Sequence, residues 1–82
     1  MINSEIKIGK RYVAKVGGNI TIVRITNYAI RGWIGKSCST GRNIIVRSGQ
    51  RLRRVVDKEE YERWYSQLVY ARNSGKKDPE IK

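Results

Sequence analysis

The chain has no histidine and no phenylalanine, and only one cysteine, one proline and one methionine among its 82 residues. Without imidazole, neither a Ser-His nor a Cys-His nucleophile pair can be assembled. One thiol cannot supply the ligands of a usual zinc site, so no metal or cofactor is expected. Cys38 has no partner for an intrachain disulfide, which fits a reducing compartment and makes the cytoplasm the expected location. No stretch approaches the roughly 18 uninterrupted apolar residues that cross a bilayer, and the start of the chain has no apolar signal core. Carboxylates are also scarce, seven Asp and Glu against 18 Lys and Arg, for a net charge of +11. A multidomain enzyme, a membrane span and a disulfide scaffold are not expected, and no constellation of Lys, Tyr and carboxylates stands out as catalytic. The expectation is one small non-enzymatic domain over residues 1–82.

What the chain does have is an uneven distribution of charge. Residues 1–56 hold twelve bases and one acid, Glu5, whereas residues 57–82 hold six of each and are neutral. Eight of those twelve bases are arginine, whose planar fork grips phosphate or carboxylate at two points. A dozen like charges on a small body oppose compaction unless an anion offsets them, so a polyanion is the natural partner. Nucleic acid comes first and an acidic protein surface second; plain solubility is the alternative reading.

The first two thirds read as short strands with turn signals between them. Residues 7–16 (KIGKRYVAKV) alternate, with Tyr12, Ala14 and Val16 on one face and Arg11, Val13 and Lys15 on the other. Gly17, Gly18 and Asn19 supply a tight hairpin, and residues 20–26 (ITIVRIT) are β-branched except at Arg24. Residues 27–31 form a looser connection. A third strand is expected over 33–39, weakened by Gly35, with a turn at Thr40, Gly41 and Arg42. A fourth covers 43–47, a tight turn follows at Ser48, Gly49 and Gln50, and a fifth covers 51–56 with Leu52 inward. Five short strands in about fifty residues predict a mainly β fold, a small closed barrel or rolled sheet of the SH3-like kind over 7–56.

The last third changes character. Asp57 stands three residues before Glu60, the spacing of a capping box, and Tyr61, Trp64, Tyr65 and Leu68 recur at helical spacing. A single C-terminal α-helix over 57–74 is predicted, stopped at Asn73, Ser74 and Gly75, with Tyr70 off the stripe and facing solvent. The stripe docks on the barrel or on a second copy, which would make a homodimer. Residues 75–82 (GKKDPEIK) are polar and expected to fray.

The densest functional signal is residues 47–54 (RSGQRLRR). Arg47, Arg51, Arg53 and Arg54, with Arg42 across the fourth strand, are expected to pool into one phosphate-gripping face. Lys15, Arg24 and Lys36 add to its field. The opposing reading is that some of these arginines pair with Asp57, Glu59, Glu60 and Glu62 on the helix. Trp33, beside Arg31 and Lys36, is either a stacking platform for a base or a core residue, with core favoured; Tyr28 is expected to be exposed. Gly17 and Gly18 precede a strand and not a helix, so they are hairpin glycines and not a phosphate loop. Cys38 is a small strand residue whose thiolate Lys36 would slightly favour.

The Gly32-Trp33 pair, the Thr40-Gly41-Arg42 turn and the Arg51-Leu52-Arg53 element resemble a pattern in short, largely uncharacterised bacterial and phage proteins with an SH3-like barrel. The resemblance covers roughly residues 7–56 and implies that fold; it brings no activity with it. Two functions remain open. The first is a module that binds DNA or RNA phosphates with little sequence specificity. The second is a small inhibitor of phage or mobile-element origin that docks its basic face on an acidic partner or in a nucleic-acid groove.

Overall fold

β-Branched side chains favour extended backbone. In the computed structural model, which describes residues 6–16 and 18–81, the β-branched run at 20–26 lies in the longest strand. The described strands are β1 (Arg11–Val16), β2 (Asn19–Tyr28), β3 (Trp33–Ser37), β4 (Asn43–Val46) and β5 (Leu52–Val56). A 3-10 turn over Gly49–Arg51 precedes β5, and one helix, α1 (Lys58–Asn73), follows it. The strands make one antiparallel sheet in the order β4-β3-β2-β1-β5, so the mainly β class with a single C-terminal helix is as expected.

The sheet is not closed by hydrogen bonds into a barrel. β4 and β5, expected to be neighbours, stand at its opposite edges, because the 3-10 turn carries the chain over to pair with β1 rather than back along β4. Flat, those edges would lie about 19 Å apart at ordinary strand spacing. Yet Val46 of β4 and Leu52 of β5 share one buried cluster with Tyr12, Ala14, Val23, Ile25 and Trp33. The sheet is therefore rolled, and side chains fill its concave face. Trp33 is only 7% exposed within that cluster, which settles its two readings in favour of core and removes it as a stacking platform.

The convex face is covered in part by α1. Val13 and Ile22 of the sheet, with Val56, pack against Trp64 and Leu68 of the helix. This explains why Val13, on the more polar side of the β1 alternation, is fully buried. The Asp57 carboxylate caps α1 by accepting from the Glu60 backbone N–H at 2.7 Å. Of the predicted stripe, Trp64 and Leu68 are buried together with Ala71, a contact line one step round from the one expected. Tyr61 falls on its edge and is half-buried. Tyr65 is exposed, its ring stacked on Tyr61 at 5.7 Å, and is not part of the core. Tyr70 faces solvent, as expected.

Several boundaries move. β1 begins at Arg11 and not at residue 7, because Gly9 turns the chain at a φ of +91° and donates its N–H to the Ile25 carbonyl at 2.7 Å. β2 runs on to Tyr28, into the expected connection, and β3 stops at Ser37, leaving Cys38 in a turn and not in a strand. The expected hairpin at Gly17, Gly18 and Asn19 lies partly outside the described residues, since Gly17 is not among them; Val16 pairs with Asn19 across it. Gly32 has a φ of +97°, and a Cβ there would stand 2.0 Å from the Val46 carbonyl oxygen, so only glycine fits. Of the segment 75–82, expected to fray, Lys82 lies outside the described residues, and residues 75–81 instead bring Ile81 back to Val13, Ile22 and Trp64, where it is 8% exposed. Arg72 and Asp78 form an ion pair at 3.2 Å along the way.

Candidate functional site

Register decides which cations meet. The β1–β2 hairpin sets Arg11 opposite Arg24, and the β2–β3 pairing sets Arg24 opposite Lys36. Directly paired residues in an antiparallel sheet lie about 5 Å apart at Cα and point to the same face. Arg11, Arg24 and Lys36 therefore stand abreast on three adjacent strands, a ladder of three positive side chains on the convex face. Like charges directly opposite each other destabilise a sheet. Here two such contacts occur in succession.

Among the described residues no carboxylate pairs with them. Among the described residues the ion pairs are Arg54–Glu60 and Arg72–Asp78, and neither involves the ladder. Arg24 and Lys36 are exposed. Arg11 is half-buried at the rim of α1, its guanidinium carbon 4.0 Å from the centre of the Tyr61 ring. That contact holds Arg11 by a cation–π interaction and leaves its charge in place. Tyr65, stacked outside Tyr61, continues the aromatic rim. Cys38 sits beneath the same cations. Burial pushes its thiol up from the ordinary value, opposed by the fields of Arg11, Arg24 and Lys36, so the slight favouring of thiolate expected from Lys36 is outweighed. Burial likewise raises the Tyr61 hydroxyl.

The other predicted site residues do not gather into one patch, because β4 and β5 are not neighbours. Arg51 and Arg53 meet Lys15 around an open hollow of about 410 Å³ beside Gly18 and Gln50. Arg42 is exposed just before β4; it is Asn43 and not Arg42 that pairs with Lys36, so register does not place Arg42 on the ladder. Arg31 and Arg47 are exposed at a separate hollow that also holds Tyr28. Arg54 follows the opposing reading: its two terminal nitrogens donate to the two Glu60 oxygens at 2.7 and 2.5 Å. Hydrogen bonding to Arg54 holds the Glu60 carboxyl below the usual carboxylate range, and the same bond raises Arg54. Arg54 is thus engaged inside the molecule.

Arg11, Tyr61 and Tyr65 are site residues that charge counting overlooks. The signal for Arg11 was present, because a hairpin with Val16 opposite Asn19 places Arg11 opposite Arg24 by counting back and forward equally. Among the described residues no group of His, Cys, Asp and Glu could hold a metal ion, and no helix is long and apolar enough to cross a membrane. Comparison with protein-family models, with curated proteins and with solved structures gives no match for this chain.

Proposed function

We propose that this chain is a non-enzymatic nucleic-acid-binding module that grips phosphates with little sequence preference. Arg11, Arg24 and Lys36 form the centre of the contact, Arg31 and Arg47 extend it, and Arg42, Lys15, Arg51 and Arg53 add to the long-range field without entering the contact. The observation that carries the reading is the ladder: three cations abreast with no carboxylate paired to them among the described residues. Such a row costs stability in the free protein, and a string of phosphates removes that cost on binding. The cations present no fixed hydrogen-bond pattern toward base edges, so backbone contact is the expected mode.

The test is fluorescence anisotropy with labelled DNA and RNA oligonucleotides at low salt. Binding to at least one, weakening steeply as salt rises, is the expected result. Failure to bind either at micromolar protein, or a salt-independent affinity, overturns the reading. Recovery of one stoichiometric acidic protein from nuclease-treated extract, with no binding to nucleic acid, replaces it with the protein-docking role.

A further inference from the structure

The convex face does not end at the ladder. Ile34 lies two residues before Lys36 on β3 and pairs with Ile45 of β4, so both isoleucines share the face of Lys36. With Tyr28, Ile30, Arg31 and Arg47 they line an open hollow of about 560 Å³. Ile34 is half-buried and the larger part of the apolar lining is exposed: Tyr28 is 65% exposed, Ile45 56%, and Ile30 completely so. The apolar floor and the phosphate-ready row thus adjoin on one face, and Tyr28, which pairs with Trp33, borders the hollow with the two arginines.

We infer that this hollow receives the unpaired bases of a single-stranded nucleic acid, whose backbone runs along Arg24 and Lys36 and past Arg31 and Arg47; the inference rests on the nucleic-acid reading above. A duplex stacks its base faces inside itself and presents phosphates and groove edges, so it has nothing to place against Ile30, Ile34 and Ile45. A single strand carries a flat apolar face at every charged unit, which matches a surface where cations and apolar side chains adjoin. Stacking on an aromatic ring tolerates any base, in keeping with weak sequence preference. With Trp33 buried, Tyr28 is the ring that borders this hollow. A second copy of the chain is disfavoured as occupant, because each copy brings a net +11 to the contact.

The experiment compares short dT and U oligonucleotides with the corresponding duplexes, by anisotropy at fixed low salt, for the full chain and three variants. Tyr28→Ala weakens single-strand binding by at least about fivefold and duplex binding much less, since one base stack is lost. Tyr28→Phe keeps the ring and retains affinity. Tyr70→Ala removes a tyrosine of similar exposure, 64%, from the helix and changes nothing. A single-strand preference abolished by Tyr28→Ala supports the inference in whichever arm, DNA or RNA, it occurs. Equal affinity for single strands and duplexes, insensitive to Tyr28→Ala, overturns it and leaves the phosphate-binding role standing. No binding in any arm overturns that role as well.

Discussion

Neutralising the two open members of the ladder puts the proposed interface to a quantitative test. Arg24 and Lys36 are exposed and outside every ion pair among the described residues, so the double variant Arg24→Gln, Lys36→Gln removes two charges while keeping the fold. Five cations border the convex surface: Arg11, Arg24, Lys36, Arg31 and Arg47. On a single strand each neutralised phosphate contributes about 0.7 to the fall of log affinity with log salt, so five contacts give a slope of about −3.5 and three give about −2. Between about 50 and about 200 mM salt, the wild type should lose roughly 130-fold in affinity and the double variant roughly 20-fold. Anisotropy titrations across that range read both numbers. Arg51→Gln with Arg53→Gln, on the other hollow, is the matched control and should leave the slope near the wild-type value. The reasoning is refuted by the reverse pattern, an unchanged slope in the ladder variant and a reduced one in the control.

Other consequences concern the fold. Trp33→Ala should cost about 3–5 kcal/mol in urea denaturation, as a large core truncation does, and an unchanged midpoint would return Trp33 to the surface. Glu60→Gln should destabilise by less than about 1 kcal/mol at neutral pH, because the pair with Arg54 is partly exposed. Glu60 has a lowered folded-state pKa, so its contribution is present above the unfolded carboxylate value and fades as pH falls through the folded one. Acid titration of wild-type stability should therefore drop more steeply there than that of the variant, and identical acid profiles would refute the coupling. Ile81→Asp should remove about 2 kcal/mol through lost apolar burial. A chain as stable as wild type would place the last residues off the core.

The elements were legible in the sequence because each carries a local signal. Residues 20–26 are β-branched, Asp57 and Glu60 are spaced as a cap, and Trp64 and Leu68 recur at helical spacing. The candidate site was less legible because its members come together only through strand order. Arg42, Arg47, Arg51 and Arg53 are close in sequence and were expected to be close in space, yet β4 and β5 lie at opposite edges. Arg11, Arg24 and Lys36 are distant in sequence and adjacent across two ladders. The bulge between Val13 and Ala14 has no glycine or proline to announce it, whereas the one between Ile25 and Asn27 lies opposite Gly35, the glycine inside the expected third strand. Nor did the sequence distinguish Tyr65, on the helix edge, from Ala71, beneath it.

The placement of the acids bears on how the ladder should be understood. A helix packed on a cationic sheet face has an inexpensive way to stabilise itself, which is to turn its carboxylates onto the cations. Helix α1 carries Glu59, Glu60 and Glu62 in its first turns, close in sequence to where it meets Arg11. It nevertheless sets an aromatic ring over Arg11, and Glu60 binds Arg54 instead. The convex face around Val13 and Ile22 is thereby covered by Trp64 and Leu68, while Arg24 and Lys36 stay open. If positive charge served solubility alone, it would be as effective spread over the surface, without like charges directly abreast. The helix instead leaves the repulsion concentrated at one site, where an external polyanion has the most to gain by relieving it.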